Sequence, residues 1–117
     1  MRLLLTLIFS GTFLGMLWAT VTASFDRDVF TAAAEIWADP WGRATLFDAY
    51  FGFISVYVWV AYRETSWISR VIWFVLFMAL GNFAIAAYVL IALWRLPADA
   101  PMKDLLLRPA DRTSASA

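Results

Sequence analysis

Few side chains in this sequence can do chemistry, and position singles out the ones that can. Asp48 is the one acid inside a long apolar run. An ionisable group there is costly unless it pairs, binds a ligand or moves a proton. Thr45 and Tyr88 are the polar groups expected to reach it, and Asp48, Thr45 and Tyr88 form a candidate ligand-binding cluster. A structural role competes with that reading, because the free N–H groups and dipole of a helix start also favour a carboxylate. Asn82 lies within a later apolar run, where a buried amide needs a partner; Ser55 or a backbone carbonyl is within expected reach. Gly11, Gly15, Ala19 and Ala23 recur every four residues, a stripe that lets a second helix approach closely. Gly52 shares a face with Ala44 and Asp48. Gly11, Gly15, Ala19, Ala23, Gly52 and Asn82 are thus candidates for helix packing or for a partner interface.

What is missing narrows the chemistry further. The chain has no His and no Cys. That excludes disulfides, thiolate metal sites and Cys nucleophiles, and removes the commonest general base and haem ligand. There is no glycine-rich phosphate loop and no set of carboxylates at metal spacing. The expectation is a non-enzyme with no cofactor and no metal. A formal net charge of zero, with no obvious basic patch, argues against nucleic acid as a partner.

The elements that must position these residues follow from hydropathy. The chain has 117 residues, 63% hydrophobic and 15% charged, whereas soluble domains carry about 25% charge. A soluble fold of this size has too little interior for so much apolar surface. Three spans at 3–23, 44–62 and 67–94 are each long enough for the ~30 Å hydrocarbon core of a bilayer. The first span also fits a secretory signal, but its apolar run is longer than a usual signal core, so it reads as an uncleaved anchor. Between the first two spans, Asp26 or Asp28 can cap a short helix through about Ala38, with Phe30, Ala33 and Trp37 on one face, suited to lie at the interface. Asp39 before Pro40 is a start signal for the second span, and Ser66 for the third. The expected fold is all-α: an integral membrane three-helix bundle with a short interfacial helix between the first and second spans. A flexible Pro-, Ala- and Ser-rich tail is expected over 97–117.

Three spans put the chain ends on opposite sides. Trp37, Trp41 and Trp94 then belong to one aromatic belt and Trp59, Tyr62 and Trp67 to the other. A plain count, with Arg2, Arg63 and Arg70 on the N-terminal side and Arg27, Arg43, Arg95, Lys103, Arg108 and Arg112 on the other, puts the second set inside. The flanks of the first span are nearly balanced, and the acidic loop and signal-like start favour a cytoplasmic N-terminus.

The stretch from Trp41 to Tyr88 resembles a family of short bacterial and plant membrane proteins grouped as a domain of unknown function. The residues that carry this are Trp41, Ala44-Thr45-Leu46 with Asp48 and Tyr50, Trp59-Val60-Ala61-Tyr62-Arg63-Glu64, Ser66-Trp67, Trp73, Gly81 and Tyr88. The resemblance implies that the spans and Asp48 belong to a family pattern; it implies no reaction or ligand. The resulting expectation is a non-enzymatic accessory or scaffold protein of a bacterial inner (plasma) membrane. Its partners would be membrane lipids and a membrane protein or a second copy. The alternatives are a binder of a lipid- or quinone-type ligand, linked to lipid modification, and a small oligomeric transporter coupled to protons or cations.

Overall fold

The computed structural model describes residues 1–112. Five α-helices follow one another: α1 (Arg2–Asp26), α2 (Val29–Ala38), α3 (Pro40–Arg63), α4 (Trp67–Leu80) and α5 (Asn82–Arg95). Two 3₁₀ turns, Met102–Leu105 and Pro109–Asp111, complete them. The described residues contain no strand, so the all-α expectation holds.

Local chemistry sets most of the helix starts. The Asp28 carboxylate accepts from the N–H groups of Phe30 and Thr31, both at 3.2 Å. Asp39 accepts from the Gly42 N–H at 3.3 Å, with Pro40 in the first turn. Ser66 accepts from the Ser69 N–H at 3.5 Å. Each side chain satisfies donors that no helical carbonyl can reach. Gly42 has a second role: a Cβ there would overlap the Ile36 carbonyl, so glycine lets α2 and α3 meet closely.

The expected third span is not one helix. It breaks at Gly81, whose φ of 58° lies where a side chain is strained. The Phe53 ring fills the place of its missing Cβ, 2.5 Å from the Phe53 Cζ position. The chain reverses at this point. In a continuous helix Trp73 and Tyr88 would stand about 22 Å apart; their ring centroids are 4.8 Å apart. α4 and α5 are therefore the arms of a hairpin, each 14 residues and about 21 Å long.

α5 is the central element. Ala84, Ile85, Ala86, Tyr88, Val89, Ala92 and Leu93 are all buried on it, with Val60 of α3 and Phe77 of α4 fully enclosed alongside. α1 runs antiparallel to α5. Phe13 meets Phe83 at 4.3 Å, and Arg2 donates to the carbonyls of Leu93 and Leu96 at 3.1 Å and of Pro97 at 2.8 Å. Past Phe13, α1 continues beyond the hairpin tip, and it buries no residue anywhere. α1 and α3 are long and apolar enough to cross a membrane, with mean hydropathies of 1.8 and 1.4.

The hairpin corrects three expectations. Both ends of the described chain lie at one end of the molecule. Trp94 belongs with Trp59 and Trp67, not with Trp37 and Trp41. The described part of the tail is also structured: Asp104 and Leu105 are buried, and the Trp59 indole donates to the Leu106 carbonyl at 3.1 Å. The expected disorder of residues 113–117 lies outside the described residues.

Candidate functional site

The end shared by the two termini is built around Tyr88. Its ring stands edge to face with Trp59 (5.6 Å), Trp73 (4.8 Å) and Phe77 (6.4 Å). Such pairs add about 0.5–1.5 kcal/mol beyond burial. The Tyr88 hydroxyl accepts from Arg63 Nη1 at 3.1 Å. The Arg63 guanidinium lies 5.5 Å from the Trp59 ring centre and 5.4 Å from that of Tyr88, a cation–π arrangement with both rings. Arg63 Nε is buried and finds no acceptor among the described residues.

Arg63 borders a cavity of about 350 Å³. Arg95 and Arg112 add two further guanidinium groups to its wall, Ser69 a hydroxyl and Glu64 a single carboxylate. Trp73 and Ile91 form its apolar side. Among the described residues none of these arginines forms an ion pair; both ion pairs there belong to Arg27, with Asp26 and Glu35. Burial, followed by the like charge of Arg63, lowers the pKa of Arg112, with Asp104 and Tyr88 opposing the shift. The tail closes over this end as a strap. Tyr62 donates to Asp111 at 2.7 Å, and Arg108 donates to the Tyr62 carbonyl at 2.9 Å while lying 4.8 Å from the Tyr62 ring centre. Pro109 and Arg112 from the strap line the cavity directly.

A family model described as "Protein of unknown function (DUF1475)" matches residues 3–113. The chain belongs to this family. The DUF1475 match runs from α1 through the strap, well beyond the Trp41–Tyr88 stretch that carried the resemblance, so the Arg112 wall of the cavity lies inside it. No curated protein and no solved structure matches the chain.

The predicted site of this DUF1475 chain divides in two. Asp48, Gly52 and Asn82 do come together, lining a hollow of about 280 Å³ beside the hairpin tip with Ile85. Asp48 and Asn82 are both exposed there. Tyr88 is not with them. It meets Arg63, 15 residues or about 22 Å further along α3. Thr45 donates instead to the Trp41 carbonyl at 2.9 Å, and Ser55 to that of Phe51 at 2.8 Å. The cluster of Asp48, Thr45 and Tyr88 does not form, because α5 runs opposite to the direction a continuous span would give it. Gly11, Gly15 and Gly52 have open space where a Cβ would sit, so the first part of the small-residue stripe packs against nothing within the chain. Ala19 and Ala23 border a groove against α2.

The residues that sequence reasoning missed are Arg63, Arg95 and Arg112. Three spans put Arg63 on one side of the membrane with Arg2 and Arg70, and Arg95 and Arg112 on the other. The one signal for their meeting was Gly81, alone in an apolar run. A lone glycine there also fits close packing in an unbroken helix.

Proposed function

We propose that this DUF1475 protein is a non-enzymatic, multi-pass accessory protein of a bacterial inner membrane. α1 and α3 cross the bilayer, the α4–α5 hairpin enters and returns on one side, and α2 lies at the opposite interface. One observation carries this reading. The Gly81 reversal gathers Arg2, Arg63, Arg70, Arg95, Lys103, Arg108 and Arg112 at one end against Glu64, Asp99, Asp104 and Asp111. The other end keeps Arg27 and Arg43 against Asp26, Asp28, Glu35 and Asp39. Basic residues near span ends favour the cytoplasm, so both ends of the described chain are assigned there. Lipids cover the exposed apolar faces, and the open Gly11 and Gly15 stretch is left for a partner helix or a second copy. The ligand-binding alternative gains support from the cavity at Arg63, at a different place from the one the sequence indicated.

Cysteine labelling tests the topology, since the chain has no native Cys. Thr65→Cys and Ala98→Cys are expected to react with an impermeant maleimide from the cytoplasmic side and Thr31→Cys from the outside. Labelling of Thr65→Cys and Ala98→Cys from opposite sides would restore three full spans and remove this reading.

A further inference from the structure

We infer that the cavity beneath the C-terminal strap is a binding site for a phosphate group. The inference rests on the membrane reading above for its setting, and on the cavity's own chemistry for the ligand. Three guanidinium groups, from Arg63, Arg95 and Arg112, face one carboxylate, Glu64, in the wall. Arg63 spends Nη1 on Tyr88, while Nε is buried without an acceptor among the described residues. A guanidinium presents a fork of parallel donors that can grip two oxygens of one oxyanion. The two rings stacked on Arg63 hold that fork in place. Arginine at all three positions, not lysine, suits bidentate recognition. A carboxylate offers two oxygens to this wall; a tetrahedral phosphate offers more, enough for several guanidinium groups and the Ser69 hydroxyl together.

The volume of about 350 Å³ lies at the small end of ligand pockets, which run from ~300 to 1,000 Å³. It suits a headgroup and not a whole lipid. Trp73 and Ile91 give the cavity an apolar flank, along which a glycerol or acyl chain can leave toward the bilayer. Phosphate in this position can come from a lipid with a phosphomonoester or phosphodiester head, or from a soluble phosphate ester.

The test uses the full chain in nanodiscs of phosphatidylcholine with and without phosphatidic acid, read by native mass spectrometry of the retained lipid. Titrations with inorganic phosphate and glycerol 3-phosphate, read by tryptophan fluorescence, test the soluble source. Arg95 is exposed and makes no hydrogen bond among the described residues, so Arg95→Gln removes a cation without disturbing the packing. Lys103→Gln removes an equal charge from the same end outside the cavity. Arg63→Lys keeps the charge and loses the fork. Phosphatidic acid is expected to be retained in preference to phosphatidylcholine, with about a tenfold loss in Arg95→Gln and in Arg63→Lys and no more than a twofold change in Lys103→Gln. The same dependence seen with inorganic phosphate or glycerol 3-phosphate, without lipid retention, assigns the site to a soluble ester. Equal losses in Arg95→Gln and Lys103→Gln, or no binding of any probe, overturn the inference. Resistance of the same protein to alkaline extraction from membranes keeps that failure separate from a failure of the membrane reading.

Discussion

Four arginines close helix ends in this molecule. Arg2 caps α5, Arg43 donates to the Trp37 carbonyl at the end of α2, and Arg70 and Arg108 donate to Ala61 and Tyr62 at the end of α3. A cation over unpaired carbonyls satisfies the acceptors and the helix dipole together. Against that pattern Arg63 stands apart, committed to an aromatic hydroxyl at the wall of a cavity. Its pairing with Tyr88 is measurable. In a double-mutant cycle, Arg63→Gln and Tyr88→Phe should couple by about 0.5–1.5 kcal/mol. Asp48→Asn and Tyr88→Phe should add within about 0.5 kcal/mol, as distant sites do. Thermal unfolding in detergent reads both; coupling confined to the Asp48 pair would contradict the observed geometry. Residue-scale legibility followed sequence distance. The caps Asp28, Asp39 and Ser66 could be read because a cap acts within three residues. The meeting of Arg63 with Arg95 and Arg112 depends on which way a helix thirty residues away is running.

Among the elements, α2 and α3 were legible and the hairpin was not. α3 starts at Pro40, four residues before the expected span, because the Asp39–Pro40 start signal outranks the onset of strong hydropathy. Hydropathy cannot see a reversal inside an apolar run, since both arms of the hairpin are as apolar as a single span. Substitution of Gly81 should expose this. Gly81→Ala places a Cβ in a strained φ and against the Phe53 ring, and is expected to cost about 2–4 kcal/mol from strain and overpacking together. Gly15→Ala, with open space around it in a regular helix, should instead stabilise by about 0.5–1 kcal/mol. Denaturation in mixed micelles compares the two; similar small effects would mean that Gly81 does not hold the turn.

For the whole molecule, composition was a good guide to class and a poor one to shape. The apolar excess pointed to helices that leave apolar side chains outside any core, and α1 buries none of its own. A net charge of zero concealed a chain with a cationic excess at one pole and an acidic excess at the other, because the sum is blind to where the backbone turns. The hairpin that creates this polarity also makes the molecule taper. In a bilayer, α1, α3, α4 and α5 would share about the first 21 Å from the cationic side, while only α1 and α3 continue through the rest of the ~30 Å core. With each helix about 10 Å across, the cross-sectional area roughly doubles from one face of the bilayer to the other. Such a wedge spreads the wider leaflet and favours membrane that bulges toward it. Reconstituted into vesicles of mixed size, molecules with the cationic pole outward should concentrate in the smallest ones. An even distribution would show that lipid fills the taper and relieves the stress. The same glycine that closes the hairpin would then set where in a curved cell membrane this protein prefers to sit.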